Sequence, residues 1–187
     1  MSIVSVVASN DFISVMTDGR IVDQNNQILD ENFDKIKAYA DNLFFSAWGS
    51  KAVFDDISSI LDSQYKLYGA AYVDEATKAI LETANKSIYA NHPFILIWGG
   101  KNKEMLKICQ LRTPKKQLES MNLVESQCIS LMGTDKSYAF EFLELKLSGM
   151  YGTNIDVVLE AQKNTIEYVS TKDSTVNNTI FSKLIQL

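Results

Sequence analysis

The first third of the chain alternates between short apolar runs and polar, turn-rich stretches. Runs of β-branched and other apolar side chains separated by polar turn residues are typical of antiparallel hairpins. The connecting stretch at residues 18–33 is polar, and we expect it to form loops with one short extended piece. The pattern predicts four strands before any helix, in two hairpins with the second turn near Asp41 and Asn42: residues 3–8, 12–17, 35–40 and 42–49.

The spacing of apolar residues changes to three and four after Ser50, which is the period of an amphipathic helix. Ser50 is placed as the N-cap of this helix, whose apolar positions recur as far as Tyr65. A second helix is predicted from about Asp74 to Ala90. Three strands, two helices and a last strand follow: residues 94–100, 105–111 and 125–133, then 137–147 and 156–170, then 179–187.

This order of elements indicates the fold class. Strands in blocks followed by paired helices argue against a wound parallel sheet and favour antiparallel sheets with helices on their outer faces. We therefore predict an α+β protein, a four-layer αββα sandwich of two antiparallel sheets flanked by helix pairs. No linker rich in Pro, Gly or Ser divides the chain, so residues 1–187 are expected to form one domain.

The composition excludes several classes of function. It is ordinary for a globular protein, with 46% hydrophobic and 22% charged residues. A formal net charge of −5 and the lack of a Lys/Arg stripe argue against a nucleic-acid partner. No run approaches the roughly 20 apolar residues that span a bilayer, and we expect no signal peptide. The expectation is a cytoplasmic protein without a membrane partner.

The thiols and the imidazole do not point to a metal site. Cys109 and Cys128 are isolated and lack the spacing of metal ligands, which fits a reducing cytosol. His92 is the only histidine, so a zinc site or a Ser-His-Asp triad would have to be built around it. Its surroundings, Asn-His-Pro-Phe, are more typical of a turn before a strand. No metal and no cofactor is expected.

Ser2 is the first residue with a candidate chemical role. Removal of Met1 would leave a serine with a free α-amine, and a hydroxyl and an amine on one residue can act as nucleophile and base. Very many chains begin Met-Ser, however, so this observation needs support from the rest of the sequence.

That support comes from the motif Met-Thr-Asp-Gly-Arg at the end of the second predicted strand and from the stretch at residues 34–50. In order and spacing these segments resemble the proteasome β-subunits and, more broadly, the N-terminal nucleophile (Ntn) hydrolases. The resemblance extends over essentially the whole chain. It implies that Ser2 corresponds to the catalytic N-terminal residue, Asp18 to the family's acidic residue and Lys35 to its catalytic lysine.

The resemblance implies three further site residues. Within the stretch that carries the lysine, Gly49 corresponds to the glycine whose amide lines the oxyanion hole. Residues 130–144 resemble the loop before the third helix, with Thr134 at the position of its serine. Residues 170–185 resemble the C-terminal segment that supports the active site, with Asp173 at its aspartate.

The chemistry explains why these residue types belong together. An α-amine titrates near neutral pH, where a general base is most useful, and a nearby lysine ammonium would keep it unprotonated. Asp18 would hold Lys35 charged and oriented, and the Gly49 N–H would stabilise an oxyanion. Each residue also has an ordinary interpretation: Asp18 and Thr134 as turn or cap residues, Lys35 and Asp173 as solvated charges, and Gly49 as a strand-to-helix transition.

Three departures from the family pattern leave alternatives open. The span from Asp18 to Lys35 is one residue longer than usual, which a loop can absorb. Val176 occupies the position of a serine near the nucleophile's amine, and Asn177 and Asn178 replace small glycines. In another register, which resembles the bacterial ATP-dependent proteasome-like peptidases, Met1 falls on the nucleophile and no terminal hydroxyl is present.

Two functions are therefore weighed. The first is a peptidase or amidohydrolase that uses Ser2 on a peptide or small amide substrate. The second is a catalytically inactive relative that forms a ring or serves as a scaffold. By resemblance, a ring-shaped homo-oligomer is expected in both cases, and an ATP-dependent unfoldase is a possible partner.

Overall fold

The structure is a computed structural model that describes residues 3–39, 42–65, 72–114, 117–124, 128–148 and 154–187. The candidate nucleophile Ser2 and the predicted turn residue Asp41 lie outside these residues. The first six strands are β1 (Val4–Ser9), β2 (Phe12–Asp18), β3 (Ile21–Val22), β4 (Ile28–Asp30), β5 (Ile36–Tyr39) and β6 (Leu43–Gly49). The remaining elements are α1 (Lys51–Tyr65), α2 (Val73–Ala84), β7 (Phe94–Asn102), β8 (Met105–Arg112), β9 (Gln117–Asn122), β10 (Cys128–Gly133), α3 (Ser137–Leu147), α4 (Ile155–Ser170) and β11 (Ile180–Gln186).

The predicted elements are present, with three differences. The stretch expected to hold one extended piece forms a small hairpin of β3 and β4. Strand β9 was not predicted, because most of its residues are exposed and it lacks an alternating apolar pattern. Helix α2 ends at Ala84 rather than Ala90, and a short 3-10 helix follows it. Ile88 matches the helical spacing but is 65% exposed, so it buries little apolar surface that would favour a longer helix.

Two main sheets account for most of the strands. One has the order β10-β1-β2-β11 and the other β5-β6-β7-β8-β9, with every neighbouring pair antiparallel. In the parts of the chain that the structure describes, two main antiparallel sheets and four helices are thus confirmed. None of the helices there is long and apolar enough to cross a membrane.

Both faces of each main sheet carry buried apolar side chains, because successive side chains of a strand point to opposite sides. One apolar cluster joins the sheets to each other, with Val6 and Val15 from one and Phe44 and Ile97 from the other. A second cluster joins the five-stranded sheet to α1 and α2. A third joins the four-stranded sheet to α3 and α4.

A buried amide fixes α4 against the four-stranded sheet. Gln162 is fully buried; its Nε2 donates to the Ser5 carbonyl at 3.0 Å, and its Oε1 accepts from the Ser14 hydroxyl. A buried amide must find such partners, since leaving it unpaired costs about 1–3 kcal/mol.

Candidate active site

A buried ion pair lies between the two main sheets. Asp18 is the last residue of β2 in the four-stranded sheet, and Lys35 directly precedes β5 in the five-stranded sheet. Lys35 Nζ lies 2.6 Å from Asp18 Oδ1, and the two side chains are 4% and 0% exposed. The structure thus brings together two of the residues predicted to form the site.

Backbone amides complete the surroundings of the Asp18 carboxylate. The same Oδ1 accepts the N–H of Ile3 at 2.9 Å, and Oδ2 accepts the N–H of Arg20 at 2.9 Å. Three donors to one buried carboxylate offset part of the cost of removing it from water. Because Ile3 directly follows Ser2 in sequence, the carboxylate also fixes the first described residue of the chain beside Lys35.

Lys35 is held through both its side chain and its backbone. Its carbonyl oxygen accepts the Ser46 hydroxyl of β6 at 2.8 Å. Burial lowers the pKa of the Lys35 ammonium below its usual value, and the attraction of the Asp18 carboxylate opposes this shift. A lysine in this position supplies a positive charge and a donor in a site of low polarity.

Gly49 occupies a backbone conformation that requires glycine. Its φ of +99° lies in a region that side chains disfavour, and a Cβ here would lie 2.3 Å from the carbonyl oxygen of Pro93. Both constraints explain why a glycine is found where β6 ends and α1 begins.

Lys35 and Gly49 both line a cavity of about 580 Å³. Much of its wall is apolar and includes Phe33, Leu29 of β4 and Phe54 of α1. The volume is in the range of small-molecule sites, and a few polar groups in an apolar wall are what such sites use for orientation.

His92, predicted to lie in a turn, is also at this cavity. Its Nδ1 lies 3.0 Å from the Ser50 hydroxyl, and its ring meets that of Tyr89 edge-on. The Ser50 hydroxyl, predicted as a helix N-cap, thus contacts the imidazole. Among the residues that the structure describes, no group of three or more His, Cys, Asp and Glu side chains could hold a metal ion.

Thr134 and Asp173 belong to a second group of contacts. The Thr134 hydroxyl accepts the Lys136 N–H at 3.2 Å, and Lys136 Nζ lies 3.8 Å from Asp173 Oδ2. Burial alone would raise the pKa of Asp173, but hydrogen bonds from Thr175 and the nearby Lys136 ammonium lower it, and that pKa lies below its usual value. Lys136, which the sequence did not single out, thus bridges the two predicted loops.

Three more residues lie near the ion pair, and the sequence analysis did not assign them to the site. Arg20 forms a two-pronged ion pair with Glu31, with both N–O distances at 3.0 Å. Asn177 contacts Glu31 and the amide of Gly19. No local pattern signals these contacts, because the β3–β4 hairpin brings Arg20 and Glu31 together and Asn177 lies more than 140 residues further along the chain.

Val176 has an apolar environment. It is 4% exposed and belongs to the cluster that joins the four-stranded sheet to α3 and α4. Its side chain therefore serves packing, where the resembling family places a hydroxyl.

No protein-family model matches the sequence, and no curated protein matches it. Solved structures do match. Anbu (ancestral beta-subunit) from Yersinia bercovieri is 15% identical, with a TM-score of 0.76 over 98% of this chain and 81% of that one. A Gly-1 mutant of Anbu from Hyphomicrobium sp. strain MC1 is 11% identical, with a TM-score of 0.75 over 100% and 87%.

Eukaryotic HslV from Trypanosoma brucei is 10% identical, with a TM-score of 0.69 over 99% of both chains. At these identities the likeness shows the fold alone. The predicted resemblance to the proteasome β-subunit-like Ntn hydrolases is confirmed at that level.

The buried ion pair predicts strong energetic coupling between its members. Lys35→Met should lower the free energy of unfolding by about 3 kcal/mol or more, because it leaves the Asp18 carboxylate buried without its cation. The double variant Lys35→Met/Asp18→Asn should lose less than the sum of the single losses. Urea denaturation of the two single variants and the double variant measures these losses, with Lys78→Met at an exposed position of α2 as the control. Additive losses would contradict the coupling.

The lowered pKa of Lys35 predicts a dependence of stability on pH. The unfolded chain has the ordinary lysine pKa of 10.5, so between the folded and unfolded values the unfolded state binds more protons. The free energy of unfolding contributed by Lys35 should therefore rise as the pH rises through this window. Denaturation of wild type and Lys35→Met from neutral pH to about pH 10 measures the difference. If the difference in free energy of unfolding between wild type and Lys35→Met stays constant or falls as the pH rises, the lowered pKa is contradicted.

Proposed function

We propose that the chain is a proteasome-like N-terminal-nucleophile peptidase or amidohydrolase. Ser2, exposed by processing directly before it, is the nucleophile, and Lys35 and Asp18 tune its α-amine. The observation that carries this proposal is the buried Asp18–Lys35 pair, whose carboxylate also binds the amide of Ile3. Two charges are costly to bury, and their position beside the residue that follows Ser2 gives them a chemical use.

The proposed reaction is an acyl transfer in two steps. The α-amine of Ser2 accepts the hydroxyl proton as the oxygen attacks the substrate carbonyl carbon. The N–H of Gly49 stabilises the resulting oxyanion, and the protonated amine then gives its proton to the departing amine of the substrate. Water hydrolyses the ester that remains, which returns Ser2 to its starting state.

Lys35 acts on this reaction through charge. An ammonium beside the α-amine lowers the pKa of that amine, so it is unprotonated and able to accept a proton near neutral pH. Asp18 keeps the ammonium oriented, as the third member of a triad does. Thr134 and Asp173, whose loops are joined through Lys136, are proposed to support the amine from the other side.

The architecture that we propose for residues 1–187 is one domain with four layers, αββα. The three apolar clusters support it, since one joins the sheets and the other two join each sheet to a helix pair. In this arrangement the Asp18–Lys35 pair lies in the cleft between the layers.

The cavity beside the pair supports a preference among substrates. Its mostly apolar wall and volume of about 580 Å³ favour peptides with a bulky apolar side chain next to the scissile bond. Small amides with an apolar group fit the same description. A cytoplasmic location and an ATP-dependent unfoldase partner are part of the proposal by resemblance.

A second candidate function is a catalytically inactive member of a ring or scaffold. The buried apolar environment of Val176 favours it, because no hydroxyl is available there for the amine. Exposed apolar side chains on α3, Phe140 at 40% and Leu145 at 68%, are consistent with association of copies. Homo-oligomerisation into a ring is proposed for both functions.

Substitution of the nucleophile distinguishes these functions. Ser2→Ala should reduce hydrolysis of a fluorogenic peptide panel with bulky apolar residues by about a thousandfold or more, because the attacking oxygen is removed. Ser63→Ala, at an exposed position of α1, is the matched control and should retain the wild-type rate. Intact mass of the native material reports whether the chain starts at Ser2. Equal rates for wild type and Ser2→Ala would exclude the enzyme and favour the scaffold.

A further inference from the structure

The side chain of Asn177 connects three segments that surround the ion pair. It is 7% exposed and lies in the loop between α4 and β11. Its Oδ1 accepts the N–H of Gly19 at 2.9 Å, next to Asp18. Its Nδ2 donates to the backbone carbonyl of Glu31 at 2.9 Å and to a carboxylate oxygen of Glu31 at 2.7 Å.

The contact with Gly19 acts on the conformation of Asp18. Gly19 and Arg20 form the short turn-like connection between β2 and β3, and their two amides have different acceptors: Asn177 binds the first and the Asp18 carboxylate binds the second. The direction of the Asp18 side chain therefore depends on the shape of a turn that Asn177 holds. The space is tight as well, since a Cβ on Gly19 would lie 2.8 Å from the Glu31 carbonyl.

The contact with Glu31 fixes the other side of the turn. Glu31 already binds the Arg20 guanidinium, and hydrogen bonds from Arg20 and then from Asn177 lower the pKa of its carboxyl. Arg20 also donates to the backbone carbonyl of Ser174, in the same loop as Asn177. The loop after α4 is thus joined to the turn after β2 by two side chains, one from each segment.

We infer that Asn177 is a positioning residue for the Asp18–Lys35 pair, an inference that rests on the proposed function of that pair. A glycine at this position, as in the resembling family, would leave the buried Gly19 amide without this acceptor. An amide side chain offers one acceptor and one donor group, which is what the Gly19 N–H and the Glu31 oxygens require together. Asn177 does not line the cavity, so it acts through Asp18 and not on substrate.

The test measures Lys35 directly, without need of activity. NMR titration of protein with isotope-labelled lysine follows the Lys35 ammonium, whose signal is identified by its loss in Lys35→Met. In Asn177→Ala, the pKa of Lys35 should fall by about 0.5 or more, because a displaced Asp18 attracts the ammonium less. Hydrogen exchange at the Gly19 amide should become faster. Asn178→Ala, at the exposed neighbouring position, should match wild type in both measurements.

Activity gives a second readout. In Asn177→Ala, kcat should fall about tenfold or more with KM nearly unchanged, because the cavity is intact while the charged pair is displaced. Asn177→Ser, whose short hydroxyl cannot reach both partners, should change in the same direction and supplies the test if the alanine variant does not fold.

The outcomes separate the two proposals. An unchanged Lys35 titration and Gly19 exchange rate in a folded Asn177 variant would overturn the positioning role, whatever the activity. If the Lys35 titration shifts in Asn177→Ala but neither the wild type nor Ser2→Ala hydrolyses any peptide, the positioning role is supported and the proposed enzyme activity is excluded.

Discussion

Burial of two opposite charges between the main sheets determines which partners the surrounding residues of the site must supply. Lys35 and Asp18 are almost without contact with solvent, and such a pair is tolerated only when every remaining polar atom has a partner. The amides of Ile3 and Arg20 meet this need for the carboxylate. Well-packed apolar residues of similar volume often give equal stability, so the pair is weak evidence for stability and stronger evidence for a function.

The same pair links the two main sheets at one end of the cleft between them. Asp18 is the last residue of β2 in the four-stranded sheet, and Lys35 directly precedes β5, an edge strand of the five-stranded sheet. This salt bridge joins the two sheets beside the cavity that Lys35 lines, and the Arg20–Glu31 and Asn177–Glu31 contacts lie next to it. Packing, electrostatics and the candidate chemistry therefore share one set of residues.

The periodicity of apolar residues predicted most strands and helices, because these elements bury a continuous apolar face. Periodicity did not predict β9, which is largely exposed. It also predicted that α2 extends past Ile88, although Ile88 is exposed and lies outside the helix, because periodicity alone does not report burial. Within the site, the Asp18–Lys35 contact was predicted from a resemblance in motif and spacing. The role of Asn177 could not be predicted, because its partners lie far away in sequence and its identity departs from the family pattern.

The proposed chemistry requires the Lys35 ammonium to lie beside Ser2, the residue before Ile3. A high-resolution crystal structure of the processed chain would show whether this requirement is met. In that structure, Lys35 Nζ should lie within about 3 Å of the Ser2 hydroxyl oxygen while it retains its contact with Asp18. A Lys35 ammonium that faces bulk water, distant from residue 2, would contradict the proposed chemistry.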